Sequence, residues 1–295
     1  MATLKDIYRR ISAVRNISKI TQAMRMVSAA KLRRAQESIL SARPYFEKLG
    51  STLANLIDAV GEDYSHPLIE KRHEIKSIAL IVVATDRGMC GSFNTNIFRF
   101  AKNYINDTLK KEYPAAEIYL IPVGKNSCGF FAKEPYKKVR EYKQVFQPLE
   151  FSTAKSISNL ITDNFISGKF DKVLLFYNEF KNLISQVPSV RQILPMEAKS
   201  EGEKDKFAID YIFEPRKDII LDDLLPTNLT IQVWRSLLES NAAEQAARMM
   251  AMENATKNAN ELIKHLELVY NKERQSAITT EMLEIVSGAE ALKKA

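Results

Sequence analysis

The residues best placed to do chemistry fall in one short window, ATDRGMCGSFNTN (84–96). Gly88 and Gly91 precede a predicted helix start, where unpaired backbone N–H groups favour an anion such as phosphate. Neither GxGxxG nor GxxxxGK[ST] is present, so neither the dinucleotide nor the triphosphate fingerprint is met. A turn and helix cap accounts for the same glycines. Cys90 lies in this loop, but no histidine is nearby in sequence to activate it, and a partly buried structural thiol fits better. His66 and His73 sit in a charged segment and His265 lies between Lys264 and Glu267, positions that suit solvated side chains better than metal ligands. Cys90 and Cys128 form no Cys-x-x-Cys, which suggests a reducing compartment. The carboxylates are scattered among lysines. No catalytic centre, metal site or cofactor is expected from these residues.

The elements that would carry this loop are set by glycine and proline. Residues 1–43 contain neither, residues 227–287 contain neither, and residues 44–226 hold eight of the nine glycines and all ten prolines. Without breakers, both terminal windows read as uninterrupted helix, about 65 Å and about 90 Å long at the α-helical rise. Apolar residues support this. Ile7, Ile11, Val14, Ile17, Met24, Val27 and Ala35 define a stripe on the first helix. On the last, Ile231, Trp234, Leu238, Ala242, Ala246, Met249, Met252, Ala255, Ala259, Leu262, Leu266 and Val269 step by three or four. Such spacing predicts that the two termini pair as a coiled coil. Each helix is expected to run unbroken, near 1–57 and 217–290, with Pro226 at a helix start or a kink.

Between them the chain alternates. IALIVVAT (78–85), EIYLIPVG (117–124) and DKVLLFYNEF (171–180) read as strands, with helices over 94–111 and 153–165, the latter capped by Ser152 or Thr153. ISQVPSVRQILP (184–195) and FAIDYIFEP (207–215) look like further strands around a polar stretch at 197–206. This order implies a parallel, Rossmann-like α/β domain. The expected division is 1–65 for the first coiled-coil helix, 66–216 for the inserted domain and 217–295 for the last helix.

Charge is just as uneven. Residues 1–43 carry ten Lys/Arg against two Asp/Glu, whereas the whole 295-residue chain has a net charge of +7. A basic helix of that length expects an acidic protein partner, a membrane surface or nucleic acid. Nucleic acid fits least, since no recognised binding motif is present. The 45% hydrophobic and 27% charged content excludes wholesale disorder and a collagen or disulfide scaffold. No run of 18 apolar residues occurs and MATLKDIYRR lacks a secretory core, so a cytoplasm-facing protein is expected.

Three segments resemble a known family. KITQAMRMVSAAKLRRAQ (19–36) is similar to the N-terminal helix of the gamma subunit of F-type ATP synthases. RMMAMENATKNANELI (248–263) and YNKERQSAITTEMLEIVSGAEAL (270–292) resemble that family's C-terminal helix, and ATDRGMCGSFN (84–94) its loop after the first strand. The resemblance implies a long antiparallel coiled coil with an inserted α/β domain. It also implies a non-catalytic central stalk that couples ion flow through the membrane rotor ring to ATP synthesis or hydrolysis on beta subunits. Its partners would be the ring of alpha and beta subunits, the epsilon subunit and the c-ring. By the same resemblance Met24, Arg25, Lys31, Arg33 and Arg34 would lie near an acidic loop of beta. Arg248, Arg274, Gln275, Thr279 and Glu281 would couple the last helix to its surroundings. Arg25 departs from members that carry an acidic residue or lysine there. No insertion like the redox-regulated cysteine pair of plant chloroplast members is evident, which points to the cytoplasmic face of a bacterial inner membrane. Two other readings stand beside it: a nucleotide-binding α/β enzyme with helical extensions, and a basic coiled-coil adaptor.

Overall fold

The computed structural model describes residues 3–60, 66–70, 72, 74–196, 214 and 216–294. The expected strand at 207–215 and the polar stretch at 197–206 fall outside these residues, apart from residue 214. Two compact units are present, one made of Met1–Ser28 with Met249–Ala295 and the other of Ala29–Arg248. Helices α1 (Leu4–Val60) and α6 (Lys217–Lys294) each contribute to both.

In the first unit the two chain ends pair antiparallel. Arg15 meets Glu267 at 3.0 Å, Ser18 donates to Asn260 Oδ1 at 2.8 Å, and the Thr21 and Thr256 hydroxyls bond at 2.7 Å. As one residue number rises its partner's falls. Ile7, Ile11 and Val14 pack with Ala259 and Leu266, and with the half-buried Ile263, Val269 and Tyr270. The buried positions of α1 continue at Ser18, Thr21, Ser28, Leu32 and Ala35, with Arg25 half-buried between them. This alternation of three and four is a strict heptad seam. Three members of the expected stripe therefore miss it: Ile17 and Val27 are more than half exposed, and the half-buried Met24 lies one residue off it. The seam passes through hydroxyls where an apolar count looks for aliphatics. On α6, Leu262 likewise faces outward and its neighbour Ile263 faces in.

The second unit is built on a five-stranded sheet, ordered β3-β2-β1-β4-β5. Its strands are β1 (Ser77–Val83), β2 (Glu117–Val123), β3 (Lys137–Lys138), β4 (Lys172–Phe180) and β5 (Gln186–Leu194). β1 pairs in parallel with both β2 and β4, and every residue of β1 is buried. Such a strand must be covered on both faces, which is why its sequence is apolar throughout rather than alternating. On one face Ala79, Ile81 and Val83 meet α5 (Phe151–Ile166), Leu53 and Leu56 of α1, and Leu221, Leu225, Leu229, Val233 and Leu237 of α6. On the other, Ile78, Leu80 and Val82 meet α2 (Phe93–Tyr104) and Phe131 of α4 (Lys125–Phe131). α2 runs on through a π turn (Ile105–Leu109) into the single turn α3 (Lys110–Glu112).

Two expectations change. The sheet is mixed, because β5 pairs antiparallel to β4. Only residues 181–185 join those strands, too few for the crossover that a parallel neighbour needs. α5 starts at Phe151 with Glu150 as its cap and no side-chain cap bond; Ser152 donates to the Glu150 carboxylate instead. Pro226 lies inside α6, as Pro44 lies inside α1. Beside Pro226, Thr227 donates its hydroxyl to the Asp223 carbonyl and Thr230 donates to the Pro226 carbonyl. The helix continues because its flanking leucines are buried in the core on both sides of the proline, offsetting a cost of about 3 kcal/mol.

Candidate functional site

The loop after β1 leaves the carboxyl end of the sheet between β1 and β4. There the chain turns to β2 on one side while β4 lies on the other, the switch point at which open α/β sheets hold their ligands. The polar groups of this loop are used internally. The Thr85 amide donates to Asn94 Oδ1, Asn94 Nδ2 donates to Thr85 Oγ1, and Thr85 Oγ1 donates to the Arg87 carbonyl. Asn126 Nδ2 donates to the Thr85 carbonyl. The Asp86 carboxylate accepts three backbone amides, from Lys125, Gln144 and Phe146, at 2.8 to 3.0 Å. Asp86 thus ties this loop to the segments that follow β2 and β3. Met89 and Gly91 both adopt positive φ, near 60°, which folds the loop back on itself before α2.

One side of this loop packs against α6. Cys90 and Phe93 pack against Ala243, Ala247 and Phe180. Small side chains let α6 approach the loop closely. The helix covers the loop at Cys90 and Phe93, while Gly88 and Gly91 stay exposed. Burial pushes the Cys90 thiol pKa up, with Arg248 opposing the rise in part. That is the reverse of what a nucleophile needs. His66 accepts the Leu68 amide through Nδ1 and is half-buried rather than solvated. Among the described residues no group of three or more His, Cys, Asp or Glu comes together as a metal site.

Beside this loop sits a buried ion pair. Arg248 Nη2 lies 2.7 Å from Glu244 Oε1, and the two side chains are 9% and 5% exposed. The same Nη2 donates to the carbonyls of Arg87 and Gly88 at 3.2 and 3.3 Å, and Nη1 reaches Gln245 Oε1 at 3.4 Å. Glu244 Oε2 has no hydrogen-bond partner. Burial pushes the Glu244 pKa up; Arg248 and Lys31 pull it back, and Asp86 adds to the rise.

The resemblance-derived positions sit in different surroundings. In the first unit Met24 and Arg25 are half-buried, while Arg274, Gln275, Thr279 and Glu281 are exposed, as is every residue from 271 to 289. Thr279 donates its hydroxyl to the Gln275 carbonyl one turn earlier. In the second unit Lys31, Arg33 and Arg34 are exposed, and Arg33 pairs with Glu37. Arg248 is buried and bonded within its own chain. Glu244 and Asp86 were not singled out from sequence. An i,i+4 Glu–Arg pair was visible there, but its burial was not.

Two long terminal helices with a five-stranded α/β unit encoded between them define the class of fold. A model of the family described as ATP synthase matches residues 3–292. The ATP synthase gamma chain of Chlorobium limicola is 45% identical over 293 residues, covering 99% of this chain and 100% of that protein. The gamma chain of Salinibacter ruber is 45% identical over 307 residues, covering 100% and 99%. Among solved structures, a chain of the Tetrahymena thermophila mitochondrial ATP synthase central stalk and c-ring matches with TM-score 0.61 and 26% identity, over 80% of this chain and 99% of that one. A chain of the Euglena gracilis mitochondrial ATP synthase matches with TM-score 0.67 and 20% identity, over 98% and 94%. This chain belongs to the ATP synthase family, and within it to the gamma chains.

Proposed function

We propose that the chain is the central shaft of an F-type ATP synthase, turning within a ring of alpha and beta subunits and resting on a membrane c-ring with an epsilon subunit. Catalysis lies on the beta subunits, and the shaft couples it to ion flow. The observation that carries this reading, beside family membership, is the apolar surface left bare on the helices. Ile17, Ile20, Met26 and Val27 of α1 and Ile278, Met282, Leu283, Ile285 and Val286 of α6 are all at least half exposed. So many large apolar side chains on helices need an enclosing partner. No helix among the described residues is long and apolar enough to cross a membrane, so association with the cytoplasmic face of a bacterial inner membrane would be peripheral.

The basic positions Lys31, Arg33 and Arg34, with Met24 and Arg25, are the proposed meeting place with an acidic loop of beta. Arg274, Gln275, Thr279 and Glu281 are proposed to couple α6 to the ring. A shaft works only through differences in interaction free energy between rotor angles, and charged contacts at a partly desolvated interface supply them. The proposed division of labour follows the chain: 1–65 and 217–295 as shaft, 66–216 as the seat on the rotor ring. Purifying the native complex by a tag on this chain tests the proposal. Recovery with alpha, beta and epsilon subunits in fixed proportion supports it; recovery of the chain alone, in membranes that retain ATPase, refutes it.

A further inference from the structure

We propose that Glu244 is a positioning residue that holds the Arg248 guanidinium against the Arg87 and Gly88 carbonyls, so that the pair latches α6 to the loop after β1 and sets how tightly rotation is coupled to ATP turnover. The inference rests on the central-shaft reading and adds a specific torque-bearing contact to it. Arg248 is the last residue of the α/β unit, and the same helix continues from Met249 into the other unit. From Leu221 to Leu237 buried apolar side chains hold α6 to the sheet; at Arg248, the last turn within this unit, bonds to the loop after β1 take over.

The apolar contacts at this point are poorly made to resist a twist of α6 about its axis. Ala243 and Ala247 lie against Cys90 and Phe93. Methyl groups offer close approach but little interlocking relief, so sliding one surface over the other displaces few atoms. The guanidinium is different. Its N–H groups point in fixed directions and reach two successive carbonyls while one nitrogen also faces Glu244 at 2.7 Å. The loop that receives them is held in turn by Asp86, whose carboxylate accepts three amides from other segments. A directional bond into a rigid loop transmits torque; a smooth alanine face does not.

As a device for stability alone the arrangement is poor. Both side chains are buried, and Glu244 Oε2 is left with no partner. Apolar side chains of similar volume often serve a fold as well or better than a buried pair. What the carboxylate does well is fix the direction of Arg248, because Oε1 accepts from the same nitrogen that reaches the loop.

The test uses the assembled complex in inverted membrane vesicles, comparing wild type with Glu244→Met and Glu244→Gln. Methionine fills the volume without accepting a strong hydrogen bond, whereas the glutamine carbonyl still accepts from Arg248. ATP hydrolysis, ATP-driven proton uptake and the melting temperature of the complex are measured on each. We expect Glu244→Met to lower the uptake-to-hydrolysis ratio about fivefold when assayed well below its melting temperature, which falls because the guanidinium is left buried and unpaired, with an unchanged KM for ATP. Glu244→Gln should restore most of the ratio. A wild-type ratio in Glu244→Met overturns the latch. Parallel loss of ratio and melting temperature in both variants overturns it too, since that would mark a merely structural role. If vesicles carrying the wild-type chain hydrolyse ATP but take up no protons, the central-shaft reading itself has failed.

Discussion

Replacing Gly124 with alanine should unseat the loop after β1 without touching any residue of that loop. Gly124 follows β2 with φ +92° and ψ 147°, a region only glycine occupies freely. A Cβ built there would lie 2.0 Å from the Ala84 carbonyl oxygen and 2.9 Å from its carbon. Both neighbours are backbone, so relief requires the ends of β1 and β2 to part by about 1 Å to reach ordinary contact distance. That movement would break the Ala84 amide bond to the Val123 carbonyl at 2.9 Å and the Asn126 amide bond to the Thr85 carbonyl at 3.0 Å. Backbone strain of about 1–3 kcal/mol and two bonds at about 1 kcal/mol each give a loss of roughly 4 kcal/mol. Against a typical total of about 5–15 kcal/mol, the α/β unit should be close to unfolding at growth temperature. Urea unfolding of the full chain, followed by tyrosine fluorescence, measures the loss. Gly129→Ala is the control: it lies inside α4 with nothing within 4 Å of its Cβ and should be neutral or stabilising by about 0.5 kcal/mol. If Gly124→Ala costs less than about 1 kcal/mol, the close approach of β1 to this turn is not what positions the loop.

Asp171→Asn should destabilise the chain by roughly 3 kcal/mol, because the Asp171 carboxylate receives Arg72 at 2.6 Å and the amides of Lys76 and Ser77 at the start of β1. Burial alone would raise the Asp171 pKa, but Arg72, the two amides and the Ser77 hydroxyl outweigh it and hold the carboxyl below its usual range. Its contribution is therefore present above the unfolded-state pKa and is lost as pH falls through the lower folded-state value. Acid titration of stability should show this component in wild type and not in Asp171→Asn. In the coiled coil, Ile263→Ala should lower the melting temperature of that unit by several degrees while Leu262→Ala changes it little, since Ile263 packs on the seam and Leu262 faces out. Equal effects would mean the heptad seam has been misplaced. Ser18→Val should leave stability within about 1 kcal/mol of wild type, since its hydroxyl bonds only the exposed Asn260.

Both long helices were legible because glycine and proline are absent from most of each. Their extent was legible too: the expected spans 1–57 and 217–290 match α1 and α6, which run through Pro44, Gly50 and Pro226. Local propensity predicts breaks at such residues, but buried leucines on either side decide otherwise. The strands were legible from short apolar runs bounded by turns. The direction of β5 was also within reach, because the five residues before it are too few for a crossover. Counting apolar residues misplaced the seam at Ile17, Met24 and Val27, for the sequence does not say which serines and threonines a coiled coil will bury. Asp86 and Glu244 looked like two more solvated acids. Only burial and the convergence of backbone groups distinguish them, and those are properties of the folded chain.

The most direct test of the account is a paired measurement on one set of membranes, ATP hydrolysis and ATP-driven proton uptake, with Met24→Lys and with charge reversal at Arg33 and Arg34. Met24 is half-buried and Arg33 and Arg34 are exposed on α1. A new cation beside an acidic loop of beta should over-stabilise one rotor angle, with coupling energies on the order of 1–3 kcal/mol at stake. Proton uptake should then fall several-fold further than hydrolysis. If both activities and their ratio are the same in these variants as in wild type, the charged face of α1 plays no part in coupling, and the shaft does not work as described.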